Sequence, residues 1–429
     1  MTDQRSPIAA VIGLPPDDTV RAFEARDDLR ATVRWSEMWH EDHARAFTVA
    51  KVAQLDLLAD IRASLDKVMR EGGTLAQWQA GLVPTLKARG WWGEVEDRSL
   101  TGTGEVVNVG PRRLRTIYDT NLRMSRAAGR WKRIQELKDV RPFLMYVAIG
   151  DSRTRPLHRL WGGLDPARPI RVILPVDHPA WAIFYPPNDW GCRCTVRQLS
   201  QRELDRKGWR VTTEEELIAI GWATAGGVIG GRKRTFQRAT GETVDVPIGI
   251  GPGFAYNPGK ASMRAIADKA VRSLDRLAPT DLAAARAVLD DLVRSDAFLE
   301  TLNDPAGLVA VGVLDERVAG IIGAANRVPV LSSYTYSKQL GRLAVSAGHL
   351  DLTVADYRLL PEIFAAPDRL FTDRPGKAEF VASKTIAGRL YRAAFKVLGD
   401  KGEIFVTSYR RARAADVRRD ARWSDLLDE

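Results

Sequence analysis

The sequence predicts an α+β chain of several domains: a helical N-terminal region, a turn-rich α+β middle, a glycine-rich linker and a small α+β C-terminal domain with an antiparallel sheet. Three observations predict it. Apolar residues recur at three- and four-residue spacing early in the chain, prolines break every helical pattern between residues 146 and 195, and two-residue alternation takes over near the end. At 429 residues the chain exceeds the ~250 at which a single core stops growing, so two or three domains are expected. Its 45% hydrophobic and 28% charged content is that of a folding chain.

The first 35 residues, with Pro7, Pro15 and Pro16, read as an arm that docks on something or stays loose. From Asp42 to Met69, the residues Leu58, Ile61, Leu65, Val68 and Met69 mark an amphipathic helix, which Gly72 and Gly73 stop. Thr74 with Gln77 makes a capping-box start for a second helix, with Leu75, Trp78 and Leu82 on its buried side, and Trp91-Trp92-Gly93 closes the region. A third helix runs from Pro111 to Lys138, with proline at its start. Leu114, Ile117, Tyr118, Asn121, Ser125 and Ala128 share one of its faces, and Arg115, Arg123, Arg126 and Arg130 crowd an adjacent arc. That ridge is either a solvated charged face or a surface that meets DNA or an acidic partner subunit.

From Tyr146 to Thr195 short strands and turns alternate, broken by Pro156, Pro166, Pro169, Pro175, Pro179, Pro186 and Pro187, so these loops need an outside constraint to hold shape. A short polar helix comes after Arg197. Residues 224–259 carry Gly226-Gly227, Gly230-Gly231, Gly249, Gly251 and Gly253 and read as a linker, which leaves residues 36–223 as the middle domain. Residues 260–327 look helical and form either a connector or part of the C-terminal domain.

Residues 328–429 read as the small α+β domain. A strand passes through Val328, Val330 and Leu331, helices lie near Tyr334 to Val345 and Thr353 to Phe364, and further strands complete the domain. From Leu390 to Leu398, Tyr391, Ala393, Phe395 and Val397 alternate with Arg392, Ala394 and Lys396, so one face is buried and the other basic. Gly399 to Gly402 turn the chain into a last strand, Glu403 to Arg410.

The net charge of +10 and pI near 9.7 favour contact with polyanions without implying sequence recognition. No charged-then-apolar leader and no run near ~20 apolar residues occurs, so the chain is expected in the cytoplasm, with no membrane partner. A stand-alone zinc enzyme is disfavoured, because neither an HExxH pair nor carboxylates at a recognisable spacing are present. Cys192 and Cys194, one residue apart, cannot staple a loop of useful length. Two soft thiolates so close suit one metal, and structural Zn²⁺ takes four N, S or O ligands. His158 and His178 are the nearest further ligands, with Asp151 a carboxylate substitute. In the other reading the reduced cysteines pack as small apolar residues, and His158 bonds a backbone carbonyl.

The stretch YPPNDWGCRCTV at Tyr185 to Val196, preceded by DSRTRPLH at Asp151 to His158 and VDHPAW at Val176 to Trp181, resembles the signature of phage Mu F-like minor head proteins. IYDTNLRMSRAAGR, Ile117 to Arg130, is similar to the helix that precedes it in that family, and GPGFAYNPGK to the family's usual end, so the likeness covers about residues 35–260. It implies a protein present in a few copies inside the head near the portal, needed in assembly or to accompany DNA out of the particle. Portal, coat or scaffolding subunits and packaged DNA are the implied partners.

The stretch from about Val328 to Arg413 resembles the nuclease-type domains fused to phage head proteins, grouped with the barnase, EndoU, colicin and RelE-like fold. LSSYTYSK, His349 with the LTVADY helix, PDRLF, SKTIAGRLYRAAFKV and EIFVTSYRR carry this likeness. Metal-free RNA cleavage needs groups to take and give protons and cations where charge develops on the phosphate. His349 is the candidate acid or base, Lys338, Lys384 and Arg410 the candidate phosphate ligands, and Thr407 or Ser408 the orienting hydroxyl, with host RNA as substrate. In the alternative this domain is a catalytically silent nucleic-acid-binding or docking module, with His349 ending a helix after Gly348 and the basic residues on the solvated side of a sheet.

Overall fold

The computed structural model describes residues 17–52, 54–97, 105–273, 279–294, 298, 302, 308–324, 327–339, 352–372, 379–398 and 403–428. The expected α+β, multidomain class holds: two compact units meet in sequence at Ala265 and Ile266.

In the first unit, helices α1 (Asp17–Glu24), α2 (Leu55–Glu71), α3 (Leu75–Ala88) and α4 (Pro111–Glu136) form the N-terminal part. Leu58, Ile61 and Leu65 of α2, Trp78, Leu82 and Leu86 of α3, and Leu114 and Ile117 of α4 meet in one core. The predicted stops and starts act as local chemistry requires. Gly72 ends α2, and the Thr74 hydroxyl accepts from Gln77 N while Gln77 Oε1 accepts from Thr74 N at 2.8 Å. The helix expected from Asp42 is interrupted: one turn, Asp42–Arg45, stands apart, and α2 begins only at Leu55. Ala46–Phe47 instead run parallel to Asp28–Leu29, which brings the Phe47 ring onto Phe23 at 5.9 Å. Part of the expected arm is docked, since α1 buries Val20 and Phe23 and packs on α4. Gly129 allows that approach: a Cβ there would sit 2.8 Å from Thr19 N.

The turn-rich region is organised by a three-stranded antiparallel sheet of β1 (Phe143–Val147), β2 (Ile173–Pro175) and β3 (Thr195–Leu199), with β1 central. Between β1 and β2 lies the short helix α5 (Pro156–Trp161). Tyr146, Trp161, Trp181, Phe184 and Trp222 form a buried aromatic cluster, with Phe184 and Trp222 stacked at 4.4 Å. The glycine-rich residues 224–259, expected as a linker, are built into this unit. Strands β4 (Lys233–Gln237) and β5 (Thr243–Pro247) pair as a hairpin, and Ile250, Phe254 and Tyr256 after it are buried. Its glycines therefore serve close packing and turns rather than reach.

The second unit is a six-stranded sheet ordered β6-β7-β11-β10-β9-β8, from β6 (Leu308–Ala310), β7 (Pro329–Ser332), β8 (Arg369–Phe371), β9 (Glu379–Ile386), β10 (Arg389–Leu398) and β11 (Glu403–Arg411). It is antiparallel except that β7 runs parallel to β11. Because β6 joins it, residues 308–310 belong to the sheet rather than to a helical connector. Tyr391, Ala393 and Phe395 are buried as the alternation predicts, but Arg392 is buried too, at 5% exposure. Helix α6 (Ala414–Asp420) carries the reason: Arg392 reaches Asp420 at 2.6 Å and Asp416 at 3.5 Å.

Candidate functional site

The structure brings His158 of α5 to both cysteines of the turn before β3. His158 Nδ1 lies 3.7 Å from Cys192 Sγ and 3.6 Å from Cys194 Sγ, and the three potential ligand atoms lie within 4.8 Å of one another. His158 and Cys192 are buried at 1% and 3% exposure. The other ring nitrogen, Nε2, is 2.9 Å from the carbonyl oxygen of Gly249. A carbonyl can only accept, so Nε2 carries the proton and Nδ1 presents its lone pair to the sulfurs. Trp161, one turn further along α5, stacks on the imidazole at 5.0 Å and 20°.

The thiols share their protons unequally. A hydrogen bond from Cys194 holds the Cys192 thiol well below the usual thiol range, despite burial. The same contact, with burial, pushes Cys194 well up. Burial also raises Tyr146 well above the usual phenol range, with both cysteines contributing, and its hydroxyl donates to Asn188 Oδ1 at 2.9 Å.

The two other proposed ligands are not in this cluster. Arg193 donates from Nη1 to Asp151 Oδ2 at 2.7 Å and from Nη2 to Oδ1 at 2.5 Å, and those bonds hold the Asp151 carboxyl far below the usual range. His178 Nδ1 accepts from Ala180 N at 3.2 Å, and burial lowers its pKa. Each is occupied by a local partner.

Residues 59–197, which contain α4, α5 and both cysteines, match the sequence family described as phage Mu protein F like protein. The chain is 30% identical over 402 residues to a protein of Escherichia phage Mu named capsid assembly protein F, an alignment covering 87% of this chain and 85% of that protein. The chain belongs to the phage Mu protein F-like family. It is also 28% identical over 374 residues to the Mu-like prophage FluMu F protein of Haemophilus influenzae, covering 80% and 84% of the two chains. No solved structure matches.

Within this Mu F-like chain the basic residues behave differently from one another. Arg115 and Arg126 of α4 are exposed, Arg123 pairs with Asp119 at 3.1 Å, and Arg130 is half-buried near Tyr185. In the second unit Thr407, Ser408 and Arg410 line one open cleft of about 350 Å³ with Arg392, Lys396 and Arg419. Lys384 lies outside it, held by Ala366 O at 2.6 Å and Asp368 at 3.5 Å. Lys338 is exposed on the helix Ser333–Gln339 and is not among the residues lining the cleft, and His349 lies outside the described residues. Asp416 bonds Arg410 at 2.8 Å and Arg419 at 3.0 Å, so the cleft's guanidinium groups are largely matched.

Sequence reasoning missed two features. Gly249 completes the histidine's surroundings from 91 residues away, and no local pattern marks it. A cavity of about 360 Å³ in the first unit is lined by Arg26, Trp35, His43, Arg113, Asn121 and Phe254, among others. Arg26 is buried there, and its Nη1 donates to Asn121 Oδ1 at 2.9 Å.

Proposed function

We propose that this protein is a minor head-morphogenesis protein of a tailed phage or phage-like particle that docks on portal, coat or scaffolding subunits and meets packaged DNA. One observation carries the reading: similarity across both units to a protein named for capsid assembly. That alignment must run deep into the second unit, because the part of the chain left uncovered is much shorter than that unit. The first unit supports a docking role by its build, with loops tied down by an aromatic cluster and a His-Cys-Cys cluster. The exposed Arg115 and Arg126 on α4 form the surface for DNA or an acidic subunit. Mass spectrometry of purified particles tests the assignment: the polypeptide is expected in the virion, inside the head. Its absence from particles and from assembly intermediates overturns it.

The second unit acts in this reading as a docking or nucleic-acid-binding module, supported by the pairing of its cleft arginines with Asp416 and Asp420. A second reading, a ribonuclease effector acting on host RNA, rests on Thr407, Ser408 and Arg410 sharing one cleft. Incubating the full chain with RNA decides between them. Cleavage lost in His349→Ala and Arg410→Ala establishes the ribonuclease, and intact RNA establishes the docking module.

A further inference from the structure

We propose that His158, Cys192 and Cys194 bind one Zn²⁺ as a structural centre, with water in the fourth position. The proposal stands independently of the assembly role.

The donor set is the first argument. Two thiolates and a neutral imidazole are soft to borderline ligands that favour Zn²⁺ over oxygen-seeking cations, and their two negative charges balance the ion. Spacing is the second. A tetrahedral zinc with Zn–S near ~2.3 Å and Zn–N near ~2.0 Å separates sulfur from nitrogen by roughly 3.5 Å. The observed separations of 3.7 and 3.6 Å match that edge, so a metal fits with little movement.

Orientation is the third argument. Zinc-binding histidines usually donate their other ring N–H to a carboxylate or backbone carbonyl, which fixes the ligating nitrogen. His158 does this through Nε2 to Gly249 O, and Trp161 stacks on the ring. The geometry also explains why a lone thiol–imidazole contact is insufficient as an account. One lone pair on Nδ1 is shared by two sulfurs, and a cation at the centre satisfies all three at once.

The fourth position is set by the space at hand. The pocket beside the cluster, lined by Thr154, Arg155 and Gly191 among others, holds about 10 Å³, the room of a single water. No carboxylate reaches the cluster among the described residues, and Asp151 is engaged by Arg193. A space that holds one water has no room for a substrate beside the metal, so the centre is structural. It ties α5 to the turn before β3, and through Gly249 to the segment after β5. In these proline- and glycine-rich segments the metal would add to the Arg193–Asp151 fork and the His158–Gly249 bond.

The test is elemental analysis of the full chain purified without chelators, with zinc K-edge absorption on the same sample. About one zinc per chain is expected, with two sulfur neighbours near ~2.3 Å. Cys192→Ser and His158→Ala are expected to lower zinc affinity about tenfold or more, whereas Asp151→Asn and His178→Ala retain the metal. A folded, metal-free chain with two freely titrating thiols, or with a Cys192–Cys194 disulfide, overturns the proposal. So does full zinc retention in Cys192→Ser. If the variants fail to fold, the absorption spectrum of the wild-type chain decides: two sulfur neighbours support the centre, and an all-oxygen shell refutes it.

Discussion

Arg193, the residue between the two cysteines, is held by Asp151 in a forked pair, Nη1 to Oδ2 at 2.7 Å and Nη2 to Oδ1 at 2.5 Å. The pair anchors the Cys-x-Cys turn to the loop before α5 from the solvent side, while both thiols face inward toward His158. Asp151 therefore positions the turn and leaves the ligand set to nitrogen and sulfur. In Asp151→Asn the bidentate fork loses its charge. We expect a lower melting temperature with unchanged zinc content, measured by differential scanning calorimetry and elemental analysis; loss of zinc would return Asp151 to the ligand set.

Gly249 has φ +94°, and a Cβ built there would lie 2.6 Å from the Trp161 ring. Trp161 would have to shift, and Leu157, 3.0 Å away, to give with it. Gly249→Ala should destabilise the chain by about 2–3 kcal/mol. Gly241→Ala is the control, since its φ is +85° but nothing lies within 4 Å, and it should cost only about 1 kcal/mol of backbone strain. Equal costs in urea unfolding would show that the Trp161 contact has no energetic weight.

Trp222 is fully buried and stacks on Phe184 at 4.4 Å, at the junction of the aromatic rings beneath the cysteine turn. Trp222→Ala removes that area and leaves a void that fixed neighbours cannot fill. The expected cost is about 4 kcal/mol. Denaturant unfolding monitored by near-ultraviolet circular dichroism reads it, and a loss below about 1 kcal/mol would mean the cluster is plastic.

His43 faces the cavity that contains Arg26. Burial, then repulsion from Arg26, lowers its pKa from 6.5 to about 4. The folded state thus binds fewer protons than the unfolded state between those values, and stability rises with pH there. The contribution is fully present above pH 6.5 and is lost as pH falls through about 4. It amounts to something on the order of 2 kcal/mol. Thermal unfolding from pH 7.5 to 4.5 should show this slope, and His43→Asn should flatten it; an unchanged slope would assign it to other groups.

Asp356 is buried in the second unit beneath Arg411, which it meets at 2.9 Å, and accepts from the Tyr391 hydroxyl at 2.8 Å. Burial pushes its carboxyl up, and the bonds from Thr353, Tyr391 and Arg411 outweigh that to hold it at about 2. Its contribution is therefore complete above pH 3.8 and lost as pH falls through about 2. Asp356→Asn leaves Arg411 without its counter-charge and should cost about 2 kcal/mol at neutral pH. Urea unfolding at pH 7 checks it, and a neutral substitution would show that water replaces the pair.

Local signals in this chain are legible wherever neighbours within four residues decide the outcome. Thr74 and Gln77 start α3, Pro111 starts α4, and the alternation of Tyr391, Ala393 and Phe395 marks β10. The Tyr185 to Val196 motif, with the helix before it, is enough to point to the Mu F-like family. Arg392 departs from its pattern because alternation says which face a residue occupies, whereas Asp416 and Asp420 on α6 decide that this face is covered. The glycine-rich segment is not a linker because glycine permits both a loose chain and the closest packing, and composition does not choose between them.

The sequence by itself determined the start of α3, the start of α4, the alternation of β10 and the pair of thiols. Only the tertiary structure decided that His158 rather than His178 or Asp151 completes the cluster, with Gly249 fixing its tautomer. The physical reason is range. Caps and periodicity act through bonds and contacts a few residues apart, but the cluster and its Gly249 support join groups 34, 36 and 91 residues away from His158, and their meeting depends on how whole loops pack.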